Sequence, residues 1–197
     1  DCDMYNYPYW KLNGEHYYLL DHSGVDGLNI FTRTFPEEQP MRLSIAQEQR
    51  FSGKLSSERT LQAERYPAVS ATVVANMNLM DFYNEYPASY ANNDPLTKWR
   101  FYAQVPLSRV AQERLYPALR AAISGKSERD AANMLINFVQ TAFVYEYDDK
   151  VWGCDRAFFA DETLYYPYSD CEDRSILFSR LVRDLLGLEV VLVYYPG

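Results

Sequence analysis

Cys171 stands in the run Ser169-Asp170-Cys171-Glu172-Asp173, where the predicted last helix of the chain begins. A thiol attacks as its thiolate, and a free cysteine is mostly protonated at neutral pH. The unpaired N–H groups and the macrodipole of a helix N-terminus favour negative charge and lower that pKa. The same N–H groups can help to form an oxyanion hole for a tetrahedral acyl intermediate. Asp170, Glu172 and Asp173 act in the opposite direction, because nearby negative charge raises a thiol pKa. They are also the acids that any helix favours in its first turn, so a small residue in an ordinary cap is the competing reading.

Around this point lie residues that could line a substrate cleft: Trp152, Tyr166, Tyr168 and Asp170. Trp152 serves equally well as an anchor for the segment that carries it. Pro167 makes the approach to the turn extended and rigid, and Asp173 suits helix-start scaffolding through Arg174 or a backbone donor. Asp148, Asp149, Asp155, Asp161 and Glu162 are acidic enough to suggest calcium. They lack the alternating spacing and central glycine of a calcium loop, so they are expected to be solvated loop charges. Cys2, Cys154 and Cys171 are an odd, widely spaced set, and the only histidines are His16 and His22. That excludes the usual zinc patterns and a disulfide framework, leaving room for one disulfide at most. No metal site and no cofactor is read from the sequence, and Cys154 is expected to be a non-functional small residue.

The bulk properties narrow the partners. Net charge is −8, with Lys and Arg scattered among acids, which argues against nucleic acid because phosphate neutralisation needs a basic face. No apolar run approaches the length needed to span a bilayer, and no secretory leader pattern opens the chain. The first residue is Asp, which suggests a processed or excised product; an envelope or periplasmic compartment is the weakly favoured expectation. The 18 Tyr, 10 Phe and 3 Trp suit half-buried strands and core, with a carbohydrate- or partner-binding surface as the alternative.

The elements that must position Cys171 follow from periodicity. Residues 1 to 95 read as a β-rich region of uncertain fold, with strands predicted in HYYLL (16–20), NIFTR (29–33), MRLSIAQ (41–47) and SATVVANMN (70–78). Short helices are predicted at SSERTLQAER (56–65) and NLMDFYNEYP (78–87). YANNDP (90–95) is the candidate boundary. Beyond it the pattern turns helical: Ser108 caps a helix to about Tyr116, where Pro117 kinks it or starts another that reaches Ile123. Ser127 and Asp130 form a capping-box pattern opening a helix with Ala131, Met134, Leu135, Phe138, Val139 and Ala142 on one face. VWGCDRAFFADETLYYPY reads as a long irregular connection, a length that implies function. The helix from Ser169 or Asp170 buries Leu177, Leu181, Val182 and Leu185 and stops at Gly187. LEVVLVYY (188–195) then reads as an interior strand covered on both faces.

From Ser127 to Gly197 this order of elements resembles the transglutaminase-like cysteine protease superfamily. The resemblance lies in the helix NMLINFVQTAF, the extended VYEYDDKVWG, the turn ETLYYPYSDCEDRS, the helix LFSRLVRDLLGL and the strand VVLVYYPG. The family signature is a nucleophilic cysteine in a G-D-C-x-D-like turn at a helix start; here Ser169 replaces the usual glycine. The β-rich region over residues 1–95 carries no family resemblance; joined to it, the resemblance implies a truncated papain-like core over 96–197, and the whole reads as an α+β protein. The resemblance implies Cys171 as nucleophile, attacking an amide or acyl carbon of a protein or peptide substrate. Hydrolysis of a peptide or isopeptide is favoured over cross-linking. The family takes its histidine base and orienting Asp from later strands, and no histidine follows Cys171. The chain is therefore expected to be the front part of a longer enzyme and to show no turnover alone. Its unpaired sheet edge at 189–195 is expected to drive self-association. Residues 189–195 as an exposed edge, or Cys171 in mid-helix, would refute the papain-like reading. The alternative class is a non-catalytic protein-interaction or carbohydrate-binding module that uses a tyrosine-rich surface.

Overall fold

The computed structural model describes residues 9–12, 15–18, 53–85, 99, 102–153 and 156–193. The strands predicted at 29–33 and 41–47, the boundary at 90–95, and Cys2, Cys154 and Asp155 lie outside them. Twelve elements follow one another in these residues. They are β1 (Tyr9–Leu12), β2 (Glu15–Tyr18), β3 (Arg59–Gln62), β4 (Ser70–Val73), α1 (Met77–Glu85) and α2 (Arg109–Ile123), then α3 (Glu128–Thr141), β5 (Val144–Tyr145), α4 (Asp148–Val151), α5 (Ala160–Tyr165), β6 (Tyr168–Ser169) and α6 (Cys171–Leu186). The protein is a mixed α+β chain in which helices dominate and the described strands pair two by two. None of the described helices is long and apolar enough to cross a membrane.

The antiparallel pairs β1–β2 and β3–β4 are local, whereas β5 and β6 pair in parallel, Val144 opposite Tyr168 and Tyr145 opposite Ser169. Residues 56–65 contain β3 and not the predicted helix. Leu61 and Ala63 are buried while Thr60, Gln62 and Glu64 are exposed, which is the two-residue period of a half-buried strand. Helix-compatible composition loses there to pairing with β4, reinforced by the Thr60–Thr72 hydroxyl contact at 3.0 Å and by Ser70 Oγ donating to Leu61 O at 3.0 Å. β4 and α1 fulfil the predictions for 70–78 and 78–87 in part, with α1 opening at Met77, inside the predicted strand.

Pro117 neither ends nor restarts a helix: α2 runs through it from the Ser108 cap to Ile123. Leu115 and Leu119, on either side, are both fully buried. Continuous burial of that face outweighs the lost backbone bond, which costs about 3 kcal/mol in an exposed helix. α3 opens at the Ser127 cap, whose Oγ accepts the Asp130 N–H at 3.1 Å, and it buries Ala131, Met134, Leu135, Phe138 and Val139. α6 opens at Cys171 and stops at Gly187, whose φ of 67° is the left-handed conformation that suits glycine. It buries Ile176, Leu177, Leu181 and Val182, while Leu185 is only partly covered. α3 and α5 pack on α6, and α2 packs on β4. One hydrophobic core joins Leu61 to Tyr83 with Tyr102 to Leu181.

Two further expectations are overturned. The segment 151–168 is not irregular throughout, because α5 forms within it and Ala157, Phe158, Phe159, Ala160 and Leu164 enter the core, while the extended form expected over 143–149 gives way to α4 from Asp148. The interior strand at 189–195 is absent from its described part. Residues 188–193 take no place in any described sheet, and Val191 and Val193 are 83 % and 65 % exposed. Leu188, Val190 and Leu192 are half-buried and Glu189 is exposed, so one face only is partly covered. An apolar run becomes an interior strand only where neighbours pair with both its edges, and no described strand pairs with this one. Its described backbone is instead held at Val190 O, which accepts from Arg183 at 3.2 Å.

Candidate functional site

Cys171 is the first residue of α6, exposed and free of any disulfide, while the helix behind it is anchored in the core. Three devices fix that start. The short β5–β6 ladder brings Ser169 beside Tyr145. The Asp173 carboxylate, fully buried, accepts the Phe158 N–H at 2.8 Å and the Asp170 N–H at 3.4 Å. Arg174 donates to Ser169 Oγ at 3.1 Å, to Gln140 O at 2.8 Å and to Phe143 O at 3.0 Å, with its guanidinium 5.1 Å from the Tyr145 ring centroid. Arg174 thus satisfies carbonyls at the end of α3 and ties them to the turn before Cys171. The sequence assigned Asp173 to a backbone donor or to Arg174; the backbone donors are those of Phe158 and Asp170.

The electrostatics oppose a thiolate. Cys171 Sγ lies 3.2 Å from Glu172 Oε2, and burial raises the thiol pKa, followed by the charges of Glu172 and Asp170. Asp170 is 7 % exposed, and burial together with Glu172 and Asp148 pushes its carboxyl up to about 7. Asp173 is pushed up to about 9, by burial first and then by Asp170. Tyr145 stands close enough for Cys171 and Asp170 to raise its phenol pKa, although burial is the largest cause.

Asp148, from the start of α4, joins this group. One oxygen from each of Asp148, Asp170 and Glu172 lies within 4.8 Å of the others. Asp148 also accepts the Arg156 N–H at 2.7 Å. Sequence reasoning placed Asp148, Asp161 and Glu162 in solvent, and the structure buries all three. Asp161 accepts from the Ser108 N–H at 2.8 Å and from the Ser108 hydroxyl; Glu162 accepts from Arg156 at 2.6 Å and from the Phe159 N–H at 3.0 Å. Of the five acids, only Asp149 is described as exposed. A 22-residue separation carries no periodicity that could have joined Asp148 to Asp170.

The cleft candidates separate. Trp152 and Tyr166 meet edge to face at 5.0 Å, with Phe158 against both, and the Arg156 guanidinium sits 4.4 Å from the Trp152 ring centroid. Arg156 also reaches Asn84 Oδ1 at 2.6 Å, and Tyr166 donates to that same oxygen at 3.0 Å. These rings close around an arginine and tie Trp152 to Phe158 and Tyr166. Tyr168, on β6, is exposed, as are Tyr145 and Tyr147. Asp170 and Cys171 are therefore brought together with Glu172 and Asp148, Tyr168 lies on the adjoining surface, and Trp152 and Tyr166 belong to a separate aromatic cluster. Compared with protein-family models, with curated proteins and with solved structures, the chain matches none.

Proposed function

We propose that this chain carries the nucleophile-bearing portion of a transglutaminase-like cysteine hydrolase or acyltransferase acting on amide bonds. The observation that carries the reading is the place of Cys171: an exposed thiol on the first residue of a sixteen-residue helix whose body is locked into the core. Unpaired N–H groups at a helix start can stabilise a developing acyl oxyanion in such an enzyme. In this reading Cys171 attacks the carbonyl carbon, the amine leaves with a proton from a histidine, and water or a second amine releases the acyl group. Among the residues whose side chains are described there is no histidine, and the raised thiol pKa needs one to become reactive. The exposed 188–193 segment counts against a papain-like core, so the reading rests on Cys171 and its helix alone.

A non-catalytic binding module is the second reading, favoured by the exposed rings of Tyr145, Tyr147 and Tyr168 beside a protonated thiol. Supplying the missing base from solution separates the two. The chain is incubated with a p-nitrophenyl ester with and without imidazole, and acylation at Cys171 and Cys154 is followed by peptide mass mapping. The enzyme reading expects imidazole to accelerate acylation at Cys171 several-fold more than at Cys154. Equal acceleration at both thiols overturns it.

A further inference from the structure

We propose that the cavity between the β3–β4 pair and helices α2 and α5 binds a small organic monocarboxylate, with Arg59 holding the carboxylate and the apolar floor taking a short acyl chain. The cavity measures about 80 Å³. Val73, Ala75, Ala111 and Leu164 line it and are all buried, while Ser57 stands exposed at its rim. Arg59 reaches it because side chains alternate along β3. Leu61, two residues on, is buried on the same face, and Arg59 lies opposite the buried Val73. A guanidinium thus occupies the core side of a strand.

The donors of Arg59 point to a ligand. Nη1 donates to Tyr165 O at 3.2 Å and to Tyr166 O at 2.6 Å, which satisfies carbonyls at the end of α5. Nε and Nη2 donate to no described residue and remain accessible. Burial lowers the pKa of this half-buried guanidinium, and no neighbouring acid offsets the effect. Capping α5 uses Nη1 alone. It leaves the Nε–Nη2 edge, the planar fork that a carboxylate meets with two parallel hydrogen bonds. The rest of the lining selects the class of anion. Arg59 is its one cationic residue, which suits a single negative charge. Asp161 also lines the cavity, but its carboxyl oxygens accept from Ser108 and offer an anion no donor. The apolar floor would leave the outer oxygens of a phosphate unpaired, whereas it covers an acyl chain. One water needs about 10–15 Å³, so the volume holds a chain of a few carbons and nothing much larger. None of Asp148, Asp170, Cys171 and Glu172 lines this cavity, so the inference does not rest on the thiol reading.

The test is titration of the 197-residue chain with butyrate, read by calorimetry and by saturation-transfer NMR on the butyrate methyl group, with butyramide and inorganic phosphate alongside. Expected is a dissociation constant of about a millimolar for butyrate, with saturation transfer to its methyl protons. Butyramide and phosphate should each bind about tenfold more weakly or worse. Arg59→Gln should weaken butyrate binding by a similar factor. Because Arg59 also caps α5, Ser57→Asp carries the test should that variant fail to fold. It places a carboxylate at the exposed rim, and it should weaken butyrate binding with no loss of melting temperature. Arg129→Gln, which removes an exposed arginine on α3, should leave binding unchanged. No binding of butyrate by the parent chain overturns the proposal. So does butyramide or phosphate binding as tightly as butyrate, or undiminished butyrate binding in folded Arg59→Gln or in Ser57→Asp. A loss of binding in Arg129→Gln would also overturn it, by assigning the carboxylate to another surface.

Discussion

The carboxylate of Asp173 accepts the backbone N–H of Phe158 at 2.8 Å with no solvent access to the acid. This one bond joins the segment entering α5 to the first turn of the helix that presents Cys171. Asp173→Ala strands a buried N–H, a loss of about 1–3 kcal/mol. Asp173→Asn keeps an acceptor for Phe158 and should cost clearly less. Urea unfolding of both variants checks the order; equal losses would show that the acceptor for Phe158 is not what holds this turn.

Buried acids also determine how stability responds to pH. Glu162 is raised from 4.5 to about 7, by burial against the lowering effects of Arg156 and the Phe159 N–H, and Asp173 is raised from 3.8 to about 9. The folded state therefore holds protons that the unfolded state has released, so unfolding stability falls as pH rises. The contribution is complete below the unfolded values, near 4, and is lost as pH passes through about 7 and then about 9. Melting temperature should decline from pH 5 to pH 9, and Asp173→Asn should flatten the upper part of that decline. A melting temperature that climbs over this range would contradict the assignment.

Arg174 makes three hydrogen bonds, to Ser169, Gln140 and Phe143. Lysine cannot reproduce the planar fork that reaches all three. Arg174→Lys should cost about 1–3 kcal/mol and should loosen the turn at Cys171. Hydrogen exchange at Ser169 to Cys171 reads the second effect, which a loss confined to α3 would not produce.

The thiol of Cys171 is raised by burial, Glu172 and Asp170. At pH 7 its alkylation by iodoacetamide should be slower than that of a free cysteine. Glu172→Gln should accelerate it, by up to about tenfold for one unit of pKa. A fast, low-pKa thiol in the parent chain would show that the N–H groups of the helix start outweigh the neighbouring acids.

Val191 is 83 % exposed, so Val191→Asp should change unfolding stability by no more than about 0.5 kcal/mol. Placing a charge in an interior strand would cost several times as much. A large loss would restore the covered strand that the apolar run suggests.

Local information was enough for α3 and α6. Both carry an unbroken apolar stripe, a polar cap at Ser127 or Asp170, and, in α6, a glycine at the stop. Those features act within a few residues, so the sequence alone determined that Cys171 begins a helix and that acids crowd it. What lay beyond was decided by distant partners. β3 is a strand because β4 pairs with it, Pro117 stays inside α2 because both flanking leucines are buried, and 188–193 is uncovered because no described strand pairs with it. Asp148, Asp161 and Glu162 read as solvated charges because sequence shows their polarity and not the N–H groups and arginine that meet them after folding. The convergence of Asp148 with Asp170 and Glu172 belongs to the tertiary structure alone. Charge and periodicity are properties of a segment, whereas burial and proximity depend on which segments meet.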